Sequence, residues 1–594
     1  MKENLNCRRN WKLYNILLII VIICLAVPTK FWEKGPDIDC GFVYVLNKYA
    51  RQLTFGKDVV FTFGPFGFLL HCMDEGNKIL MTLTAWALLL AVHAFLLYQY
   101  LFRLKEGSKD RKAVVLGMVL FVLSESAFGT EYYWCYVALF ALLLALNGFR
   151  RDVYIFDILL IISLYIKFNL FMMIFGFLVL YLMFGYFYDK ELYKYCSLRM
   201  LAGLVVSPLV YFVLNGFSPD NLVNFWNYIR GSVEISAGNC VAMGPVGNDG
   251  ALIWALIGAA AFLLCIILGW KSGMYNFMVM AFVGECLFMC YKHTMVLHRN
   301  GMGSMMFFLS LLPLFIRWDC LFESLGGRKR QLYVTLLSVL IMITVVESGL
   351  KDMNLVNRIR NNVYELPNTI KTIREQDPSE LDPLPGGVLA EIGTSSMTVY
   401  PHRISYCMSY DFNYVPLFTI QAYSAFTPYL DQMTAEMFWD DDAPAYILFA
   451  TTTLGDRWPL IECPQTWEAI RYNYDVCIQE GVLLLKHKER EVVKRPEYHF
   501  LKASDYARDD VIDLDGADYL IMNADMNLLG KLTKILYKIP PVNLHVYYTD
   551  GREETHRVLL DMFSGGVELG RLSSTGEGVI DIMNGEADSW NVEK

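Results

Sequence analysis

Long apolar runs alternate with short polar connections from residue 13 to residue 350. A helix that crosses the hydrocarbon core of a bilayer needs about 20 predominantly apolar residues. Eleven segments meet or approach this length, so the pattern predicts about 11 transmembrane helices. Their predicted limits are 13–30, 79–102, 113–129, 131–149, 153–167, 169–187, 200–217, 251–270, 274–291, 304–317 and 331–350.

One apolar stretch, from 153 to 187, is too long for a single crossing and carries Lys167 and Asn169 at its middle. A lysine at the centre of a bilayer costs about 2.5–3.5 kcal/mol on insertion scales. Two helices that meet at Lys167 would place its ammonium group at the membrane interface, where most of this cost disappears. The sequence therefore predicts a helix break at Lys167.

The pattern changes after residue 350. Residues 351–495 contain a helix candidate, LPNTIKTIREQ, and the strand candidates AYILFATTT and GVLLLKHK, which predict an α+β domain. Residues 496–594 contain short alternating runs such as VNLHVYYTD and HRVLLDMF between turn signals. This alternation is typical of an antiparallel β-sandwich, here expected to be of jelly-roll type. The predicted domains are thus 1–350, 351–495 and 496–594.

The composition agrees with a polytopic α-helical membrane protein that carries a water-exposed C-terminal region. Of the 594 residues, 55% are hydrophobic and only 19% are charged. The net charge is −9, and no basic run is interleaved with aromatic residues, so nucleic acid is not an expected partner. The 14 cysteines lack the spacing of a zinc site, and a disulfide between Cys40 and Cys72 stays open.

The basic residues of the short connections fall on one side of the membrane if every predicted helix crosses it. They occur in CRRNWK, RLKEGSKDRK, KELYKYCSLR and GGRKRQ. By the positive-inside rule this side is the cytoplasm, which also holds the N-terminus. Residues 31–78, 218–250, 292–303 and 351–594 are then expected on the outer side.

Two carboxylates come after the first predicted span, in the segment GPDIDCGF. The segment PDIDCGF can provide the N-cap of a helix that continues into FVYVLNKYARQL. Alternatively, a carboxylate at this depth can act as a general base or a metal ligand for a lipid-linked substrate, whose headgroup also lies at the interface. These residues alone leave both interpretations open.

The residues after these aspartates carry a family resemblance. In RQLTFGKDVVFTFGPFGFLLH, a helix ends near Gly56 and is followed by an aromatic, proline-containing turn. An acidic residue after the first span, together with these features, resembles the first outer loop of the C-type glycosyltransferase (GT-C) superfamily. Its members include protein O-mannosyltransferases and lipid A aminoarabinose transferases. The segment that begins with Glu131, EYYWCYVALFALLLAL, is similar to the fourth span of that superfamily. The segment around Lys167, LYIKFNLFM, is similar to its lipid-phosphate path.

Three further segments resemble an uncharacterised bacterial family of multispanning membrane proteins. They are FGKDVVFTFGPFGFL, CYKHTMVLHRNGMGSMMFF and IQAYSAFTPYLDQMTAEMF. Those proteins similarly join a GT-C-like membrane half to an outer domain with a β-rich end. The resemblance implies a multi-pass protein of the bacterial inner (cytoplasmic) membrane with an extracytoplasmic C-terminal domain.

The GT-C resemblance implies an inverting transfer of sugar from a polyprenyl phosphate to a glycan, lipid or protein acceptor on the outer side. Asp39 is the first choice for the base that deprotonates the acceptor hydroxyl, and Asp37 is the second. The leaving phosphate needs cations within hydrogen-bond reach. The candidates at the predicted outer interface are Lys167, Lys292, His293, His298 and Arg299.

Two of these implied sites have competing interpretations. The basic segment KHTMVLHR can instead bind the headgroups of membrane lipids. Asp37 and Asp39 can hold a divalent cation, Mg²⁺ or Mn²⁺, which some GT-C enzymes use. Whether the protein needs a metal therefore stays open.

Other candidates lie outside these motifs. Glu285 lies near the middle of the ninth predicted span, and an intramembrane carboxylate indicates a functional site unless it is a protonated acid hydrogen-bonded inside the bundle. Glu131 is a candidate through the GT-C resemblance described above. The segment IQAYSAFTPYLDQM carries aromatic and polar groups suited to a sugar or a peptide, although such stretches more often form core and turns.

Two other functions compete with the transferase. One is a non-enzymatic scaffold or assembly component of envelope polysaccharide synthesis that keeps the fold without the activity. The other is a transporter, although the chain has no evident pair of repeated halves.

Overall fold

The computed structural model divides the chain into two compact units. The first, here called the helical unit, comprises Met1–Trp32, Phe63–Asn221 and Pro245–Glu375. The second, here called the mixed unit, comprises Glu33–Thr62, Leu222–Gly244 and Gln376–Lys594. The predicted boundaries at 350 and 495 are linear along the chain, whereas these units are discontinuous. The structure describes residues 2–27, 31–105, 111–124, 130–242, 250–297, 302–347, 355–378, 381–450, 457–479, 482–488, 495–506, 510–514, 516–517, 519–524, 526–536, 542–548, 551, 553–569, 572–573 and 576–584.

Helices dominate the first 375 residues. In chain order they are α1 (Lys2–Ala26), α2 (Ile38–Lys48), α3 (Lys78–Gln99), α4 (Arg111–Leu123), α5 (Glu131–Leu146), α6 (Val153–Ile166), α7 (Phe168–Tyr188), α8 (Lys190–Asn215), α9 (Pro219–Ala242), α10 (Gly250–Gly269), α11 (Met274–Leu297), α12 (Met302–Leu309), α13 (Leu311–Phe315), α14 (Trp318–Ser324), α15 (Gly327–Glu347), α16 (Leu355–Ile359) and α17 (Leu366–Arg374). The last of these confirms the helix predicted in LPNTIKTIREQ.

Four helices among the described residues are long and apolar enough to cross a membrane: Lys78–Leu104, Phe168–Tyr188, Lys190–Asn215 and Met274–His293. A fifth crossing is formed if Ser304–Phe315 and Trp318–Ser324, which meet at a bend of 83°, count as one broken span. The chain therefore has several helices suited to a membrane, but the predicted number of eleven is not confirmed.

Helix length explains much of the difference. The helices α4, α5 and α6 have 13, 16 and 14 residues, which correspond to lengths of about 20–24 Å at 1.5 Å per residue. A hydrocarbon core is about 30 Å thick. Every residue of α5 is nevertheless buried, and the helix packs against α3, α6 and α7. Its apolar sequence therefore reflects a position at the centre of the helical unit.

The predicted break at Lys167 is confirmed. Helix α6 ends at Ile166 and α7 begins at Phe168, and Lys167 between them has an extended backbone with φ −157° and ψ 130°. Its backbone N–H still donates to the carbonyl of Ser163 at 3.0 Å. The polar residue thus interrupts the apolar stretch where the sequence required it.

Strands and shorter helices form most of the mixed unit after Gln376. The helices are α18 (Gly386–Ile392), α19 (Tyr406–Ser409), α20 (Pro428–Trp439), α21 (Pro459–Glu462), α22 (Pro464–Asn473), α23 (Leu528–Leu536) and α24 (Gly576–Asn584). The strands are β1 (Ser396–Tyr400), β2 (Asn413–Tyr414), β3 (Tyr446–Phe449), β4 (Tyr474–Gln479), β5 (Leu483–His487), β6 (Tyr519–Leu520), β7 (Val542–Tyr547), β8 (Glu553–Val558) and β9 (Val567–Glu568).

The first five strands form one mixed sheet in the order β2-β1-β3-β5-β4. Strand β1 pairs in parallel with β2 and β3, whereas β5 pairs antiparallel with β3 and β4. All four residues of β3 are buried, as expected for an apolar run at the centre of a sheet. The strands predicted in AYILFATTT and GVLLLKHK are β3 and β5, and the α+β pattern of this region is confirmed.

The C-terminal hundred residues differ from the predicted jelly roll. Their described part contains two small two-stranded antiparallel sheets, β6 with β9 and β7 with β8. The segment VNLHVYYTD contains β7, which pairs with β8, but only the first three residues of HRVLLDMF lie in β8. The rest of that segment leads into a 3-10 helix at Leu560–Gly565. A β-sandwich is not confirmed, because alternation identifies strands but does not determine which strands pair.

Three segments that are distant in the sequence build the mixed unit. The hydroxyl of Tyr44 in α2 donates to the carbonyl of Cys407 at 2.7 Å, and the N–H of Val60 donates to the carbonyl of Phe418 at 2.6 Å. Gly56 has φ +89°, and an added Cβ would lie 1.8 Å from the carbonyl oxygen of Asn224 in α9. Only glycine permits both this backbone conformation and this contact.

Candidate functional site

Two predicted site residues meet in the helical unit. Lys167 Nζ lies 2.8 Å from Glu131 Oε1, and their side chains are only 12% and 9% exposed. Glu131 is the first residue of α5, where Thr130 provides the N-cap by accepting from the backbone N–H of Tyr132. Lys167 lies in the break between α6 and α7. The sequence indicated both residues separately, and the structure joins them in a buried ion pair.

An aromatic loop covers Lys167. The ammonium group lies 4.7 Å from the ring centre of Phe63, a distance at which a cation is attracted to an aromatic face. The backbone of the loop pairs with the helix break, because the N–H of Gly64 donates to Ile166 O and that of Phe66 donates to Tyr165 O. The turn FTFGPFGFL therefore holds one of its aromatic rings over the lysine through main-chain hydrogen bonds.

A histidine adjoins the same cluster. His293 Nδ1 lies 2.6 Å from the hydroxyl of Tyr132, the residue after Glu131. His293 is near the end of α11 and is exposed, whereas Tyr132 is buried. Tyr132 was not among the predicted site residues, because nothing in the run EYYW distinguishes it from its aromatic neighbours. We refer to Phe63, Glu131, Tyr132, Lys167 and His293 as the lysine cluster.

The lysine cluster holds a buried cation whose charge is balanced by one carboxylate. An ammonium group carries three donors, and Glu131 and Phe63 hold this one in place while its charge is largely removed from water. Burial of an ion pair is expensive unless further polar contacts compensate it. The cation–π contact with Phe63 is one such contact.

The structure gives less information about the positions of the other predicted phosphate ligands. Lys292 is half-buried beside His293 in α11. His298 and Arg299 lie outside the described residues. Within the described part of the basic segment KHTMVLHR, His293 contacts Tyr132.

Glu285 is buried in the middle of α11 and faces α7. An added Cβ at Gly176 would lie 2.8 Å from Glu285 Oε1, so the glycine makes room for the carboxyl group. Glu285 Oε2 is buried without a hydrogen-bond partner in the part of the chain that the structure describes. A carboxyl group in this apolar setting is better accommodated as a protonated acid than as a charged one.

Asp37 and Asp39 belong to the mixed unit, and both are exposed. Asp37 Oδ1 accepts a hydrogen bond of 2.8 Å from the backbone N–H of Asp39 and caps α2. The capping interpretation of PDIDCGF is therefore confirmed, and the structure identifies Asp37 as the capping residue. Asp39 lies in the first turn of the helix.

Burial, and then the two carboxylates, raise the pKa of the Cys40 thiol to about 11. Cys40 and Cys72 are free thiols.

A hydrogen-bonded chain adjoins the beginning of α2. Gln421 Nε2 donates to the carbonyl of Ile38 at 2.6 Å, and the hydroxyl of Tyr423 donates to Gln421 Oε1 at 2.5 Å. Burial raises the pKa of Tyr423, and the Asp39 carboxylate raises it further. The segment IQAYSAFTPYLDQM, which the sequence indicated as suited to a ligand, thus supports the two aspartates.

The row of hydrogen bonds through Gln421 and Tyr423 continues to a buried ion pair. Arg457 Nη2 donates to the carbonyl of Tyr423 at 3.2 Å and lies 2.9 Å from Glu462 Oε1. The side chains of Arg457 and Glu462 are 4% and 2% exposed. Burial raises the pKa of Glu462 to about 7, although Arg457 acts in the opposite direction. Sequence reasoning missed this pair, because neither residue occurs in a recognisable motif.

Within the described ranges, no three His, Cys, Asp or Glu side chains converge in an arrangement that could hold a metal ion. Mg²⁺ is often bound by one or two carboxylates together with substrate phosphates. The pair Asp37 and Asp39 is compatible with that mode, although Asp37 already uses one oxygen as a helix cap. Metal binding stays a prediction.

Comparisons with protein families, with curated proteins and with solved structures found no match to this chain. The assignment of a function therefore depends on the sequence motifs and on the geometry of the two units.

Proposed function

We propose that this protein is a membrane glycosyltransferase that takes a sugar from a polyprenyl phosphate and transfers it to an envelope acceptor. The observation that carries the proposal is the lysine cluster. The GT-C resemblance implied an acidic residue at Glu131 and a phosphate-path lysine at Lys167, which are 36 residues apart in sequence. Their ion pair unites two positions that the resemblance indicated independently.

In this proposal, Lys167 stabilises the phosphate leaving group. Negative charge grows on the phosphate as the bond to the sugar breaks, and a preorganised cation lowers the barrier for that step. Glu131 and the Phe63 ring keep the ammonium group in one position before the donor arrives. His293 supplies a second donor to the phosphate or, when neutral, orients the Tyr132 hydroxyl.

Asp39 remains the first choice for the general base. It is exposed on the mixed unit and lies in the first turn of α2. The acceptor hydroxyl would transfer its proton to Asp39 while its oxygen attacks the anomeric carbon. Direct displacement of this kind inverts that carbon.

The three chain segments that make up the mixed unit support the proposed topology. Segments 33–62, 222–244 and 376–594 share this unit, and the positive-inside rule independently assigned all three to the outer side of the membrane. Segments that share one aqueous unit require an even number of crossings between them. The eleven-span interpretation has six crossings between the first two segments and four between the last two. We therefore retain eleven spans, an outer C-terminal region and the bacterial inner membrane as parts of the proposal.

The test measures binding of undecaprenyl phosphate to the full chain in lipid nanodiscs. Lys167→Gln should weaken binding by roughly tenfold to a hundredfold, because a charged hydrogen bond contributes about 1.5–3 kcal/mol. The matched control is Lys78→Gln, since Lys78 is also buried and lies 4.1 Å from an aromatic ring centre, that of Phe68. Equal affinities of the two variants would contradict the proposal.

A non-enzymatic assembly component is the second candidate. The capping role of Asp37 favours it, because this carboxylate has a structural reason to be present. A transporter has no comparable support. The two remaining candidates predict different results when the Asp39→Asn variant is expressed in a deletion strain of the native host. Full rescue would favour the assembly component. Loss of the surface glycan would favour the enzyme.

A further inference from the structure

The mixed unit contains a cavity of about 190 Å³ that is separate from the lysine cluster and from the two aspartates. Its walls include Gln432, Glu436 and Trp439 of α20 and Gln465 and Glu468 of α22. Residues three or four apart on a helix share a face. Each helix therefore directs an amide and a carboxylate into the same space.

The two carboxylates of the cavity differ in their partners. Glu436 is held by Arg495, whose Nη1 donates to Oε1 at 2.9 Å while Nη2 donates to Oε2. Glu468 Oε1 is buried and has no hydrogen-bond partner within the described residues. Burial and the nearby Glu568 raise the pKa of Glu468 to about 7. A buried oxygen without a partner is costly, and a ligand hydroxyl can satisfy it.

Aromatic rings complete the cavity. Tyr498 stacks on Tyr519 with their ring centres 4.1 Å apart, and Tyr498 is 49% exposed. One face of Tyr498 is therefore covered by a ring, and the other is accessible from solvent. Trp439 packs against Tyr472 and lies 5.3 Å from the Arg495 guanidinium. The exposed face of Tyr498 is the apolar platform of the site.

We infer that this cavity binds a neutral saccharide. Carboxylates and amides exchange hydrogen bonds with the neighbouring hydroxyls of a sugar, and an aromatic face packs against its C–H groups. Arg495 neutralises Glu436, so the walls lack the excess of negative charge that a cationic ligand would prefer. A phosphate would meet two carboxylates. The volume is below the range of about 300–1,000 Å³ of drug-sized ligand pockets, which suits a single sugar ring.

Saccharide binding at this cavity is independent of the proposed sugar transfer. A saccharide held here has the chemical class of a glycan acceptor, but the cavity would bind it whether or not the lysine cluster binds a phosphate. Binding in the Lys167→Gln variant therefore separates the two functions. If saccharide binding persists there while binding of undecaprenyl phosphate is lost, both are supported independently.

The test uses the full chain in lipid nanodiscs and saturation-transfer difference NMR. The probes are the methyl glycosides of glucose, galactose, mannose, rhamnose and N-acetylglucosamine, with tetramethylammonium and inorganic phosphate as charged comparators. At least one glycoside should bind, and Tyr498→Ala should weaken its binding about tenfold through loss of the ring contact. Tyr547→Ala is the matched control, because Tyr547 is 46% exposed and does not line the cavity.

Glu468→Gln is the second variant and should also weaken binding, because it replaces the unpartnered oxygen with an amide of the same shape. If Tyr498→Ala fails to fold, the Glu468→Gln variant still tests the inference. Absence of binding by every glycoside, or equal binding by the Tyr498→Ala and Tyr547→Ala variants, would overturn the inference. Binding of tetramethylammonium or phosphate alone would overturn it as well.

Discussion

Glu131 and Lys167 form a buried ion pair in the helical unit, whereas Asp37 and Asp39 lie exposed at the beginning of a helix in the mixed unit. The first pair holds opposite charges at positions where water cannot stabilise either charge alone. The second pair consists of like charges that remain hydrated. All four residues were singled out from sequence, yet their environments predict opposite consequences of substitution. Loss of one charge from the buried pair should lower stability, whereas substitution of exposed Asp39 should leave stability nearly unchanged.

The largest effect is expected when one partner of the buried pair is removed. Glu131→Ala leaves the Lys167 ammonium buried without its carboxylate, which should lower the free energy of unfolding by about 3–5 kcal/mol. Unfolding of the purified protein in detergent measures this effect. The double variant Glu131→Leu, Lys167→Met removes both charges and should be more stable than the single variant. A double variant as unstable as Glu131→Ala would show that the pair itself is not the cause.

The exposed pair should give the opposite result. Asp39→Asn should lower sugar transfer at least a hundredfold, because a positioned general base contributes about 10²–10⁴-fold, while the free energy of unfolding stays within about 0.5 kcal/mol. Transfer from a radiolabelled lipid extract of the native host measures the activity. Asp37→Asn is the control, since asparagine is also a good N-cap. Equal activity of both variants and the unmodified protein would exclude Asp39 as the base.

A smaller effect distinguishes the two aspartates from one another. Asp37→Ala removes the acceptor for the Asp39 N–H and should destabilise the mixed unit by about 1 kcal/mol, the usual contribution of an N-cap. Asp39→Ala should have a smaller effect on stability, because it keeps the N-cap at Asp37. Thermal unfolding monitored by near-ultraviolet circular dichroism compares the two. Destabilisation of equal size would mean that capping does not explain the presence of Asp37.

The smallest expected effect concerns pH. Burial raises the pKa of Asp431 to about 6 and the pKa values of Glu462 and Glu468 to about 7. Between the ordinary pKa of each group and its raised value, the folded chain binds more protons than the unfolded chain. The stability of the mixed unit should therefore fall as pH rises from about 5 to 8. Glu468→Gln should reduce this slope, and an unchanged slope would contradict the assignment.

Sequence alone predicted the features that local pattern and the cost of a buried charge determine. The break at Lys167 could be predicted because an ammonium group within an apolar stretch requires one. The cap at Asp37 and the strands β3 and β5 are indicated by short motifs. The contact between Glu131 and Lys167 could not be derived from spacing, because it depends on how α5, α6 and α7 pack. The family resemblance indicated both residues without joining them.

The parts of the prediction that are not confirmed have physical explanations as well. Every residue of α5 is buried among other helices, so its apolar sequence does not by itself establish a membrane span. The predicted jelly roll is not confirmed because strand pairing depends on partners that are distant in the chain. The cavity at Glu468 was missed since its walls come from two helices and a later segment. No single stretch of sequence contains its chemistry.

The discontinuity of the mixed unit has a consequence for biosynthesis. Helix α2 and the Gly56 turn emerge early, but hydrogen-bond partners of this segment at Cys407, Phe418 and Gln421 are synthesised only after the whole helical unit. Translation at about 5–20 residues per second imposes a delay of the order of tens of seconds. During that interval the buried face of α2 has no final partner. Premature termination of the chain before residue 400 should therefore leave this first segment exposed to proteases and chaperones.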